Sequence, residues 1–233
     1  MFLLPEQHNF TRVYCAKCGD EHIIIKPCGA RFCPACGHIS RWRVRERLHQ
    51  LFKLMRHERG YRLKMLTLAT KNCQNLEEGI DDLIASFRRL RQRKLWNQSI
   101  RGGIFVIEIS GSPGSWHPHL HCFIYSLRIQ WESLRDLWSS CSKGGQSVWI
   151  ANISNNRAIY YVTKYVTKPG SDPEYAWTIS QAMKGRRTFQ RFGTFQKIKL
   201  PRYASGRECE VCGSNDWLTE WDLRKAGLPV PGG

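Results

Sequence analysis

The segment from Trp116 to His121 carries three histidines at alternating positions. In a β-strand, residues two apart point to the same face, so His119 and His121 would present two imidazoles together. Two neutral imidazoles and one carboxylate form a typical site for a divalent cation with positions left open for substrate. Glu108 precedes the histidines across a Gly-Ser-Pro-Gly turn. The segment therefore predicts a divalent-metal site of Glu108, His119 and His121.

His117 has the same strand parity, so spacing alone leaves open which two of the three histidines bind the cation. Pro118 is more typical of the first residue of a strand than of its interior, which favours His119 and His121. The alternative interpretation is a polar outer face of a strand with no metal.

A second chemical pattern is the run Tyr160-Tyr-Val-Thr-Lys-Tyr-Val-Thr-Lys168. On a helix, Tyr161 and Tyr165 lie about 40° apart and share one face, with Lys164 and Lys168 beside them. A phenol becomes a useful nucleophile when its phenolate is stabilised, and a nearby cation and lysines supply that stabilisation. The run predicts a tyrosine nucleophile for phosphodiester cleavage. The alternative is an amphipathic helix whose tyrosines pack against a sheet.

The cysteines predict a second kind of metal site. Cys15-x2-Cys18 and Cys33-x2-Cys36 are separated by fourteen residues, close to the spacing of a tetrahedral four-cysteine zinc site. Such a closed sulfur shell would be structural. Cys28 is an alternative ligand within the same set. The late pair Cys209-x2-Cys212 has no evident second pair, and it could join Cys28, a histidine or a partner module.

The chain is strongly basic, with 36 Lys and Arg against 19 Asp and Glu in 233 residues and a formal charge of +17. This excess favours a polyanionic partner, while 42% hydrophobic residues exclude a disordered basic tail. Basic clusters with interleaved aromatic rings are typical of single-strand nucleic-acid binding, although each cluster alone could be a solvated face. The candidate DNA contacts are Arg41, Arg43, Arg88, Arg89, Arg186 and Arg187.

Hydrophobic periodicity predicts the elements that would position these residues. Their order is strand, helix, strand, strand, helix, strand, which favours an α+β fold of the ferredoxin-like or RRM-like type, with a central antiparallel sheet. The predicted bounds are 63–70, 76–97, 103–110, 118–125, 131–140 and 147–153, followed by a helix over 157–167.

Four segments are expected along the chain: a cysteine-rich zinc module over 1–40, a basic connecting helix over 41–60, the catalytic domain over 61–200 and a final segment over 201–233. No apolar run reaches the roughly 18 to 20 residues that span a bilayer, and the first residues lack the pattern of a secretory leader. These observations predict a cytoplasmic protein with no membrane partner.

Three motifs in this order, Leu66–Thr70, Trp116–His121 and Tyr161–Lys168, resemble those of the HUH endonucleases. The chain looks like a two-tyrosine rolling-circle replication initiator of phages and plasmids, and its cysteine-rich front end resembles that of HUH transposases. No Gly-x4-Gly-Lys-Ser/Thr motif is present, so strand separation would need another protein.

The resemblance implies that Glu108, His119 and His121 hold Mg²⁺ or Mn²⁺ at the scissile phosphate of single-stranded DNA. Tyr161 or Tyr165 would form a 5′-phosphotyrosine, Lys164 or Lys168 would steady the phosphate, and the free 3′-hydroxyl would prime a polymerase. The implied partners are single-stranded DNA at an origin or hairpin and a host helicase and polymerase. The alternatives are a transposase of a single-strand mobile element and a zinc-stabilised nucleic-acid-binding regulator that does not cut.

Overall fold

A computed structural model describes residues 9–25, 37–55, 57–145, 147–153, 159, 173–187, 189–199 and 208–230. The chain forms two compact units. The larger is Gly37–Leu200, and the smaller combines Met1–Cys36 with Pro201–Gly233.

The larger unit is built on a five-stranded antiparallel sheet with the strand order β6-β3-β5-β4-β7. Together with its helices this makes the chain α+β, as the sequence predicts, and the six predicted elements occur in the predicted order. The strands are β3 (Arg62–Ala69), β4 (Ile100–Ser112), β5 (Ser115–Ser126), β6 (Ser147–Asn152) and β7 (Phe189–Gly193).

The described part of the larger unit contains five helices, α1 (Gly37–Leu54), α2 (Leu76–Arg91), α3 (Lys94–Ser99), α4 (Trp131–Cys141) and α5 (Pro173–Ala182). The single helix predicted over 76–97 is divided, because Arg93 has extended backbone angles and begins α3 as its N-cap. The break lets Trp96 pack edge-on against Phe87, with ring centroids 5.5 Å apart. In the described part of the chain, no helix combines the length and the apolar character needed to cross a membrane.

Helices α2 and α4 cover one face of the sheet, which we call the helical face. Alternation along β4 points Phe105 to this face, and its ring lies 5.2 Å from that of Phe87 on α2. The Trp138 indole on α4 donates to the Ala69 carbonyl of β3 at 2.8 Å. Asn75 caps α2 by accepting hydrogen bonds from the amides of Glu77 and Glu78.

The opposite face carries His119 and His121, and we call it the histidine face. Part of it is covered by α1, the helix predicted to connect two segments, whose Leu48 and Leu51 are fully buried. They belong to one apolar cluster with Met65, Val106 and Phe123 of the sheet. Every second side chain of β5 therefore lies on the histidine face. These side chains are apolar under α1 and are imidazoles further along the strand.

The β4–β5 hairpin ends in a tight turn that matches the predicted Gly-Ser-Pro-Gly segment. Ser112 pairs with Ser115, so the loop contains only Pro113 and Gly114. Gly114 has φ +82°, which suits the third position of a type II turn with proline before it. This turn sets the register of the two long strands.

The smaller unit contains a three-stranded antiparallel sheet of order β2-β1-β8 and a short helix after the last strand. The elements are β1 (Phe10–Cys15), β2 (Glu21–Ile25), β8 (Trp217–Thr219) and α6 (Glu220–Lys225). Since β8 pairs with β1, the final segment adds a strand to the sheet of the N-terminal cysteine module. From the sequence, the two segments are expected separately, over 1–40 and 201–233.

Removing a buried leucine from α2 should weaken the larger unit. Leu83 is fully buried under the helical face, whereas Leu54 at the end of α1 is 51% exposed. We expect Leu83→Ala to lower the free energy of unfolding by about 2–5 kcal/mol and Leu54→Ala by less than about 1 kcal/mol. Urea denaturation measures both, and equal losses would contradict the assigned core.

Candidate metal centre

The candidate centre is formed by three neighbouring strands of the larger sheet. Glu108 on β4 lies directly opposite His119 on β5, and Thr67 on β3 lies directly opposite His121. By the alternation of side chains along each strand, the side chains of all four residues point to the histidine face. Backbone pairing alone therefore brings one carboxylate, two imidazoles and one hydroxyl to a single patch.

The ligand atoms of Glu108, His119 and His121 all lie within 4.8 Å of one another. The closest contact joins Nε2 of His121 to Oε2 of Glu108 at 2.6 Å. The side chains of His121 and Glu108 are only 4% and 11% exposed. The three groups thus converge in a mostly dry patch, where electrostatic interactions are strong.

Thr67 sets the orientation of the His121 ring. Its Oγ1 lies 3.1 Å from Nδ1 of His121, on the side of the ring opposite the Glu108 contact. A cation bound at Nε2 requires the tautomer with the proton on Nδ1, and that proton would be donated to Thr67 Oγ1. Thr67 therefore fits the role of a positioning residue behind a metal ligand.

His119 remains neutral over the ordinary pH range. The pKa of His119 is lowered to about 4, mainly by burial; the imidazoles of His117 and His121 contribute to this shift, and the Glu108 charge opposes it. An imidazole binds a metal only in its neutral form. The lowered pKa therefore keeps the His119 ring available as a ligand.

His117 packs edge-on against His119, with ring centroids 4.2 Å apart. Its backbone carbonyl accepts a hydrogen bond from the Ser110 hydroxyl at 3.2 Å. The group on this face that could hold a cation contains His119 and His121 with Glu108, and His117 is not part of it. His117 supports the neighbouring ring.

The donor set fits a divalent cation. Two imidazole nitrogens and one carboxylate oxygen on one side of an ion leave further coordination positions for water or substrate oxygens. The carboxylate also supplies a negative charge in a chain of formal charge +17. We therefore regard the patch as a candidate centre that binds a cation and leaves room for a substrate.

The predicted tyrosine motif lies outside the described residues, so Tyr161, Tyr165, Lys164 and Lys168 stay predictions. A tyrosine that sequence reasoning did not single out lies near the centre instead. The Tyr175 hydroxyl donates to the Ile109 carbonyl at 3.4 Å, and its ring packs on Trp116. Burial and the Glu108 charge raise the pKa of Tyr175.

The first Cys-x-x-Cys pair lies beside the last pair of the chain, although the spacing along the sequence favoured the second pair as its partner. Cys15 and Cys18 lie with Cys209 and Cys212 in one group of the smaller unit. The predicted partners Cys33 and Cys36, and the alternative Cys28, lie outside the described residues. All three Cys-x-x-Cys pairs of the chain are followed by glycine, so the sequence pattern does not indicate which two pairs meet.

The six predicted DNA-binding arginines have different environments. Arg89 donates to the Cys141 carbonyl at 2.8 Å and so links α2 to the end of α4. Arg186 forms a two-point ion pair with Asp81 of α2. Arg88 and Arg187 are exposed, Arg41 is half-buried, and the side chain of Arg43 is outside the described part. Arg88 and Arg89 lie on the helix that covers the helical face, opposite the metal centre.

A comparison with protein families finds a match. The model of a family described as Replication protein matches residues 24–132. The matched range includes α1 to β5, and therefore Glu108, His119 and His121. The match supports a rolling-circle replication initiator. Comparisons with curated proteins and with solved structures give no match.

Replacing Thr67 by valine should weaken cation binding without removing a ligand. We expect Thr67→Val to reduce Mn²⁺ affinity about 10–100-fold, because the His121 ring loses the acceptor for its Nδ1 proton. Titration followed by electron paramagnetic resonance measures the affinity. Thr11→Val, in a strand of the smaller unit, serves as the matched control. Unchanged affinity in Thr67→Val would show that the hydroxyl does not orient the ring.

The metal-free protein should lose stability as the pH falls from about 6.5 to about 4. In that window the unfolded chain protonates His119 near its ordinary pKa of 6.5, whereas the folded chain protonates it only near pH 4. Protons therefore favour unfolding, and His119→Gln should flatten the decline. Urea midpoints measured across the window test this, and parallel declines in both proteins would refute the lowered pKa.

Proposed function

We propose that the protein is a rolling-circle replication initiator that nicks and rejoins single-stranded DNA through a 5′-phosphotyrosine. The main support for this proposal is that Glu108, His119 and His121 converge on one face of the sheet. All three residues lie within the range that matches the replication protein family. The basic charge of the chain is consistent with a DNA substrate.

In this proposal the cation is Mg²⁺ or Mn²⁺, and it would polarise the scissile phosphate when bound. Glu108 and the two imidazoles hold it from the protein side, and Thr67 keeps the His121 ring in the binding tautomer. The dry surroundings of His121 and Glu108 exclude competing water from this side of the centre.

The proposed nucleophile is the phenolic oxygen of Tyr161 or Tyr165. It attacks the phosphorus, the bond from phosphorus to the 3′-oxygen breaks, and the phenolic proton ends on that oxygen. The products are a 5′-phosphotyrosine and a free 3′-hydroxyl that can prime synthesis. Lys164 or Lys168 would steady the phosphate charge. The second tyrosine would cut the displaced strand after one round and allow the ends to be joined.

The described residues on either side of the tyrosine segment support this assignment. Ile159 is buried in the apolar cluster that contains Phe123 on the histidine face. On the other side of the segment, Tyr175 contacts the Ile109 carbonyl, next to Glu108 along β4. The residues on both sides of the tyrosine segment therefore pack against β5 and β4, the strands that carry the candidate metal ligands.

Tyr175 is a poor candidate for the nucleophile, although it is near Glu108. Burial and the carboxylate charge raise its pKa, so its phenolate is harder to form. Its hydroxyl is also engaged with a backbone carbonyl. We assign it a packing role against Trp116.

We also propose that the catalytic domain is ferredoxin-like. The strand order β6-β3-β5-β4, with α2 between β3 and β4 and α4 between β5 and β6, supports this arrangement, and β7 adds an edge strand. The DNA contacts would come from the exposed Arg88 and Arg187 and from Arg41 and Arg43. A host helicase and polymerase would supply strand separation and synthesis.

A cleavage assay on tiled single strands tests the proposal. End-labelled oligonucleotides covering the DNA beside the gene are incubated with the protein and Mg²⁺ or Mn²⁺. We expect a covalent adduct on the 5′ end of one cut fragment, and mass spectrometry of the adduct should identify Tyr161 or Tyr165. A chelator should abolish the product.

Tyrosine variants provide the matched controls. The Tyr161→Phe and Tyr165→Phe double variant should bind the strand but form no adduct, whereas Tyr175→Phe should still form it. A normal adduct yield from the double variant would exclude both residues as nucleophiles. Binding by the wild-type protein without any adduct would instead favour the regulator that does not cut.

A further inference from the structure

Two turns in the smaller unit have the same sequence pattern and the same backbone geometry. Cys15–Gly19 reads Cys-Ala-Lys-Cys-Gly, and Cys209–Gly213 reads Cys-Glu-Val-Cys-Gly. In each turn the glycine amide donates to the carbonyl of the first cysteine at 2.8 Å. Both glycines have positive φ, +76° for Gly19 and +68° for Gly213. The chain therefore builds the same tight turn twice, near its two ends.

In both turns, backbone amides are aimed at the sulfur of the first cysteine. The Sγ of Cys15 accepts from the amides two and three residues later, those of Lys17 and Cys18. The Sγ of Cys209 accepts from the equivalent amides of Val211 and Cys212. Amide donors around a sulfur stabilise a thiolate, the form in which cysteine binds metals.

The two turns face each other and bring four sulfurs together. The Sγ atoms of Cys15 and Cys212 are 3.5 Å apart, as are those of Cys18 and Cys209. All four sulfurs lie within 4.8 Å of one another. Four sulfurs at about 2.3 Å from a central zinc ion would be about 3.8 Å apart, so the observed group is close to the size of a tetrahedral zinc shell.

The surroundings of the group favour a metal over a set of unrelated thiols. Cys15 and Cys209 are each 2% exposed, and all four cysteines are free of disulfides. The Ala16 amide donates to the Asp216 carbonyl at 2.9 Å, which holds the first turn against the approach to β8. When these four cysteines are deprotonated, their thiolate charges repel one another, and a cation bound between them would balance that charge.

Within its described residues, the smaller unit has few other features that would hold it together. Its described buried apolar residues are Val13, Tyr14, Cys15, Cys209 and Leu223, and β8 has only three residues. Units with so few buried side chains usually depend on a metal or on disulfides. A metal held by ligands from both ends of the chain would stabilise the pairing of β1 with β8.

We propose that Cys15, Cys18, Cys209 and Cys212 bind one structural Zn²⁺ that fastens the two ends of the chain into a single small unit. The four thiols release their protons to solvent when the ion binds. This ligand set differs from the one expected from spacing, in which Cys33 and Cys36 complete the site. It is independent of the nicking activity, because these ligands belong to the smaller unit.

Zinc content measured by mass spectrometry on the full-length protein tests the ligand set. We expect Cys212→Ser to lose about one equivalent of zinc relative to the wild-type protein, because a closed four-sulfur shell cannot be completed. Cys73→Ser is the matched control, since Cys73 is also of intermediate exposure, and it should keep the wild-type content. Unchanged zinc in Cys212→Ser, with loss in the Cys33→Ser and Cys36→Ser double variant, would overturn the proposal.

A measurement on the wild-type protein covers the case in which Cys212→Ser does not fold. The thiols are alkylated before and after a chelator removes the zinc, and the modified peptides are quantified. We expect Cys15, Cys18, Cys209 and Cys212 to become reactive together as zinc is released. Equal alkylation of Cys209 and Cys212 with and without zinc, or a disulfide among the four, would refute the site.

Discussion

The hydrogen-bond register of β5 against its two neighbours, β3 and β4, determines every contact at the candidate metal centre. It pairs Glu108 with His119 and Thr67 with His121. A shift by one residue would turn the histidines to the helical face and leave apolar side chains in their place. The two-residue turn at Pro113 and Gly114 and the buried alternation of β5 hold this register.

The same alternation divides the sheet into two kinds of surface. The helical face is apolar along the central strands and is closed by α2 and α4. The histidine face is apolar under α1, where Leu48 and Leu51 pack, and it carries the polar groups Glu108, His119 and His121 further along the strands. Burial next to that apolar cluster has a chemical consequence, because desolvation lowers the pKa of His119 and keeps it neutral as a ligand. Packing and site chemistry thus follow from one strand pattern.

The smaller unit follows a different physical rule. Its described residues include few buried side chains, and strand β8 has only three residues, whereas the turns at Cys15–Gly19 and Cys209–Gly213 bring their sulfurs within a few ångströms of one another. The two turns lie almost 200 residues apart in sequence, as the separation of 197 between Cys15 and Cys212 shows. Closing so long a loop costs conformational entropy that a small apolar core offsets poorly. A metal is a physically reasonable source of the missing stability.

The sequence by itself determined the α+β class, the order of the six central elements, and the parity that puts His119 and His121 on one face, because periodicity and turn residues are local properties. Two features depended on the tertiary structure. The contact of Thr67 with His121 depends on the register between β3 and β5. The grouping of Cys15 and Cys18 with the late pair, Cys209 and Cys212, depends on the pairing of β1 with β8. Spacing along the chain favours near neighbours as partners, whereas folding can bring together residues of any separation.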